Sequence, residues 1–169
     1  MVTIGLALAA CAAASYFDVR ERRIPNLLTG STALATIAVH AFFGWRSLAV
    51  TLAVMAVLTV AGALVYSRGG IGGGDIKLGV AVSGMLGYPL CVPFLLYTAI
   101  AGGLLALLFV IFRRNARASL SRAAFMAFGG TQPVARDKAE TLPYAVAFTL
   151  GAILIALSQS IVPSLRIML

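Results

Sequence analysis

Asp18 and Asp75 are the residues of this sequence best placed to do chemistry. The chain carries only five acidic residues, and Glu21, Asp137 and Glu140 all sit in polar stretches among basic neighbours. Asp18, in contrast, closes an uncharged run that starts at Val2, and Asp75 opens an apolar run after a stretch of glycines. Two carboxylates that share a site cannot both ionise cheaply, so one keeps a proton while the other acts as base. Such a pair can draw a proton from water for attack on an amide carbonyl and return a proton to the leaving amine. That chemistry needs no metal. The single histidine, His40, falls at the far end of the second apolar run, so a zinc or serine–histidine mechanism lacks its ligands or base. Cys11 and Cys91 each lie inside an apolar run without a C-x-x-C partner, which indicates packing residues rather than a disulfide framework or zinc site.

The elements that must hold these carboxylates are helices in a membrane. Of the 169 residues 61% are hydrophobic and 11% charged, and the mean hydropathy is +1.01, outside the range of soluble globular domains. Charges, prolines and glycine clusters divide the chain into six candidate spans: residues 2–17, 27–43, 47–66, 76–86, 89–112 and 142–161. The expectation is an all-α polytopic protein with about six transmembrane helices, forming one domain over residues 1–169 without a separate soluble or zinc-binding domain. The fourth span is only about half a bilayer long, which holds its end near a membrane surface.

The cations orient the spans. Arg20, Arg22, Arg23, Arg68, Lys77, Arg113, Arg114, Arg117, Arg122, Arg136 and Lys138 fall on one side, and Arg46 and Arg166 on the other. The positive-inside rule then puts both termini outside and the basic loops, with both aspartates, in the cytoplasm. The net charge of +8 is explained by this topology rather than by nucleic acid, because the cations are not interleaved with exposed aromatics. "LAAC" at residues 8–11 matches the small-residue pattern before a lipid-modified cysteine. However, no Lys or Arg precedes Arg20, which is the charge order of an uncleaved N-out helix rather than a signal peptide. Within the long polar segment, "SLSRAAFMAF" at 119–128 reads either as a helix lying on the cytoplasmic surface or as an ordinary basic connector.

The first helix should run on through "DVRER" until "IPN" stops it, because Pro25 disfavours helix at the residue before it. Asp75 should begin its own helix, where unpaired N–H groups and the helix dipole favour an anion. An isolated aspartate there would read as a cap. A second one at the same membrane face changes that reading, because an ionisable group in a span costs about 2.5 to 3.5 kcal/mol and is a functional candidate by default. The glycines of "GIGGGD" leave room for a substrate backbone beside Asp75, or else form a flexible linker.

The residues "DVRERRIPN" at 18–26 and "GIGGGDIKL" at 70–78 resemble the motifs of the type IV prepilin peptidases, intramembrane aspartic proteases of the G-x-G-D class, and "LPYAVA" at 142–147 resembles a proline–tyrosine element before that family's last helix. The resemblance implies that Asp18 and Asp75 are the catalytic dyad, with Gly72 and Gly74 the glycines of G-x-G-D and Lys77 beside the site. It further implies that Pro25 and Asn26 shape the first cytoplasmic loop and that Pro143 and Tyr144 lie near the substrate. The longer enzymes of the family carry a cytoplasmic insertion with zinc-binding cysteines and also methylate the new pilin N-terminus. Here that loop is only "RERRIPN", so the chain is most similar to the short subclass serving Flp-type pilins of tight-adherence systems, with no cofactor and no N-methylation.

The implied partners are a prepilin with a basic leader ahead of a hydrophobic helix, the lipid bilayer and the pilus-assembly machinery; nucleic acid is not among them. The implied location is the bacterial cytoplasmic membrane, with the active site facing the cytoplasm. Two other classes fit the carboxylates less well. A proton-coupled carrier would need ionisable groups continuing across the membrane, and none do. In a non-catalytic assembly subunit, Asp75 would be a helix cap that Asn replaces without loss.

Overall fold

The computed structural model describes residues 2–68, 72–112 and 144–161. They form six α-helices and no strand: α1 (Val2–Glu21), α2 (Asn26–Phe42), α3 (Trp45–Ser67), α4 (Gly73–Leu86), α5 (Cys91–Phe112) and α6 (Tyr144–Ile161). The "SLSRAAFMAF" segment and Pro143 lie outside the described residues, as do the glycines and isoleucine at 69–71.

Local sequence explains where the helices stop. α1 continues through Asp18 to Glu21 and is closed by Arg22, whose φ of 53° is left-handed and whose N–H donates to the Asp18 carbonyl at 3.0 Å. Pro25 precedes α2 at φ −61°, the angle its ring imposes, and its carbonyl accepts the N–H groups of Leu28 and Thr29. The α2–α3 and α4–α5 connections each contain a glycine at positive φ, Gly44 at 102° and Gly87 at 68°, where a side chain would be strained.

α4 begins at Gly73, two residues before Asp75. Gly72 is its N-cap, so Asp75 is the third helical residue rather than the cap. An acidic residue in the first turn complements the helix dipole, which lets the helix start on glycines that have little intrinsic preference for it. α5 begins at Cys91, after a turn that contains Pro89.

α4 is the hub. Cα atoms of α1, α2, α3, α5 and α6 all approach α4 within 8 Å, and neighbour contacts order these five around it as α3, α2, α1, α6, α5. From Leu78 to Leu86, every α4 residue except Val80 is buried. Small residues make this closeness possible. A Cβ on Gly84 would lie 2.7 Å from Met55 Cγ and 3.1 Å from Thr36 Cγ2, and one on Gly79 would lie 3.1 Å from the Phe148 ring. Polar pins fix the register. The Thr36 hydroxyl is 3.0 Å from the Ala81 carbonyl of α4 as well as 2.9 Å from its own Thr32 carbonyl. At the far end His40 Nε2 donates to the Met85 carbonyl at 3.2 Å, and Nδ1 shares a hydrogen bond with the Ser47 hydroxyl at 2.7 Å.

α1, α3 and the Cys91–Leu108 part of α5 are each long and apolar enough to cross a membrane. α3 buries only Thr51 and exposes Val57, Val60 and Leu64 by more than half, at 67%, 63% and 58%. Apolar surface on that scale belongs in lipid, and the chain is an integral membrane protein.

Replacing Gly84 by Val is expected to destabilise the bundle by about 1–3 kcal/mol through overpacking against Met55 and Thr36. Gly30→Ala, where an added Cβ meets nothing within 4 Å, should leave thermal unfolding in detergent nearly unchanged.

Candidate active site

Asp18 lies in the last turn of α1 and is buried, with 8% of its surface exposed. Its Oδ2 accepts the backbone N–H of Ala145 at 3.2 Å. Ala145 is the second residue of α6, so this N–H is one of the first-turn donors that no helical carbonyl can satisfy. The carboxylate of one helix thus caps another. One turn away, the Ser15 and Thr149 hydroxyls meet at 2.6 Å, and Thr149 also donates to the Ala145 carbonyl at 3.1 Å. These contacts set the register of α1 against α6 and aim the Asp18 side chain. The Arg22 guanidinium, just past the end of α1, interacts electrostatically with the Asp18 carboxylate.

Asp75 sits half-buried in the first turn of α4. A Cβ on Gly72 would come within 2.9 Å of its Oδ2, so the glycine leaves the space that the carboxylate uses. Gly79, four residues on and therefore on the same face, packs against Phe148 of α6. Asp75 is accordingly on the side of α4 turned toward α6, the helix whose first turn binds Asp18. The ends meet because Gly74 packs against the α1–α2 loop: a Cβ there would lie 3.3 Å from Ile24 Cβ.

Lys77 and Asn26 pair with each other: Nζ donates to the Asn26 Oδ1 at 3.0 Å. Two residues correspond to roughly 200° of rotation, so Lys77 projects on the opposite side of α4 from Asp75. It braces α4 to the start of α2. Pro25 and Asn26 occupy that start, and Tyr144 opens α6 beside Gly102 of α5. The carboxylates of Asp18 and Asp75 are therefore brought to one end of the bundle and one side of α4, whereas Lys77 and Asn26 share the end but not the side. The partners that only the structure reveals are Ala145, Ser15, Thr149 and Ile24. A backbone N–H has no residue-type signature, although "LPYAVA" includes Ala145.

An all-helical integral membrane protein whose buried carboxylate is held at a helix start is the class defined so far. A model of the type IV leader peptidase family matches residues 5–107, a stretch that contains both aspartate motifs and ends before α6. Comparison with curated proteins found no match, and comparison with solved structures found none either. The chain belongs to the type IV leader peptidase family. It is therefore a peptidase of the prepilin-leader type.

If the Asp75 carboxylate works where it stands, Gly72→Ala should reduce prepilin cleavage about tenfold or more, because the new methyl group forces the carboxylate to move. Helix content by circular dichroism should not change, since Gly72 has φ −69°, which alanine adopts freely. Undiminished cleavage would refute this.

Proposed function

We propose that this chain is an aspartic endopeptidase that removes the leader from a Flp-like prepilin at the cytoplasmic face of the bacterial cytoplasmic membrane, acting as a single peptidase domain with Asp18 and Asp75 as its dyad. The observation that carries the reading is the position of Asp18, which is buried, holds the first turn of α6 and sits at the same end of the bundle as Asp75 on the α6 side of α4.

In the proposed reaction one carboxylate takes a proton from a water, and the resulting hydroxide adds to the scissile carbonyl. The other carboxyl group, protonated at the outset, donates its proton to the leaving amine as the C–N bond breaks. The reaction ends at hydrolysis, without methylation of the new N-terminus. Ala145 N–H keeps Asp18 oriented through these steps, because a backbone donor in a packed helix has no rotamer to change.

Orientation follows the charge asymmetry already described: with six spans, both termini lie outside and the aspartate end faces the cytoplasm. A basic leader then remains in water while the hydrophobic part of the pilin stays in lipid. The arginines at 20, 22 and 23 serve topology and anionic headgroups rather than a basic leader. Gly72 leaves room for the Asp75 carboxylate and Gly74 for the α1–α2 loop, and Pro143 and Tyr144 would border the scissile segment.

Co-expression with a Flp-type prepilin, read by the mass of the pilin, tests the dyad. Wild type should release the leader, and Asp18→Asn and Asp75→Asn should each lower the rate by at least about a thousandfold while still inserting in the membrane. Normal cleavage by either variant would overturn the assignment.

A further inference from the structure

Among the described residues the ring of helices around α4 is not closed. No Cα atom of α3 approaches one of α5 within 8 Å, and at the end remote from the aspartates the gap is a wholly apolar groove of about 410 Å³. Val50, Val54, Val57 and Leu58 of α3 line one wall, and Val92 and Leu95 of α5 the other. Helical spacing extends both walls toward the aspartate end, through Ala61 and Leu64 on α3 and through Ala99 and Gly103 on α5, all of them exposed. A Cβ on Gly103 would meet nothing within 4 Å.

Each wall ends on a helix turn that holds or binds one of the two carboxylates. On the α3 side, Gly62 packs against Ile76 and Tyr66 against Gly73, which places the second half of α3 on the turn that carries Asp75. On the α5 side, Gly102 packs against Tyr144 and Ala147, in the first turn of α6 that binds Asp18. The walls are 23 and 22 residues long, enough for one helix crossing a hydrocarbon core of roughly 30 Å. Small residues at Ala61, Ala99 and Gly103 allow a helix to approach closely, as membrane helices require where no hydrophobic effect drives them together.

We propose that the opening between α3 and α5 is the docking groove for the hydrophobic helix of the prepilin. This rests on the cleavage proposed above. The bound helix completes the ring around α4, and the chain N-terminal to it emerges at the end of the bundle that holds the carboxylates. Specificity for the apolar part of the substrate then lies on α3 and α5, neither of which carries a catalytic group.

Photocrosslinking tests the groove by binding rather than turnover. In an Asp75→Asn background, Ala61, Gly103 or Leu34 is replaced in turn by benzoylphenylalanine; Leu34 is 71% exposed on α2, away from the opening. With a Flp-type prepilin present, positions 61 and 103 should give an adduct with the mass of peptidase plus prepilin, and position 34 should not. Adducts only between two copies of this chain, adducts only with lipid, or equal prepilin capture at all three positions would overturn the proposal. In the active enzyme, Gly103→Phe should lower kcat/KM for full-length prepilin about tenfold and spare a peptide that spans the scissile bond without the helix. Loss of both substrates in Asp18→Asn would concern the carboxylates, so the two readings fail separately.

Discussion

A helix of 14 residues rises about 21 Å, well short of a hydrocarbon core of roughly 30 Å. α4 therefore meets its neighbours rather than lipid over most of its length, and the other five helices are arranged to cover it. The cover is close where α4 offers glycine: Gly74 to the α1–α2 loop, Gly79 to α6 and Gly84 to α2 and α3. A side chain at any of these points would push a neighbouring helix or loop outward. The shortness also leaves the first turn of α4, with Asp75, at the end of the bundle where water can reach a carboxylate.

The second carboxylate is held by a different device. Polar backbone groups in a membrane protein must find partners within the protein, and the first turn of α6 has donors that its own helix cannot use. Asp18 accepts one of them, from Ala145. One contact thus satisfies a helix start and fixes the direction of a carboxylate, while Ser15 and Thr149 stop the two helices from sliding. Stability and positioning share the same atoms here, so substitutions along the α1–α6 seam disturb both together.

Much of the candidate site was legible in the sequence because charge in an apolar chain is costly and therefore conspicuous. Asp18 and Asp75 stand out at the ends of their runs, and Pro25 marks the break between the first two helices. Other roles were hidden. Lys77 is two residues from Asp75 in sequence but on the other side of the helix, where Asn26 accepts its hydrogen bond; chain proximity does not reveal which way a helix is turned. The glycines before Asp75 suggest room for a substrate, yet the space at Gly74 is taken up by Ile24, a contact between residues fifty positions apart.

By itself the sequence determined the class of environment, the helical content and the two carboxylates, since these depend on composition, apolar run length and the cost of placing charge near lipid. It also carried, in its two aspartate motifs, the family to which the chain belongs. Only the tertiary structure decided which helix is central, which carboxylate caps α6, and that α3 and α5 stay apart. Those outcomes depend on how helix faces pair. In a chain whose helices are apolar nearly all round, hydrophobic periodicity does not single out a buried face; close packing and a handful of polar contacts do.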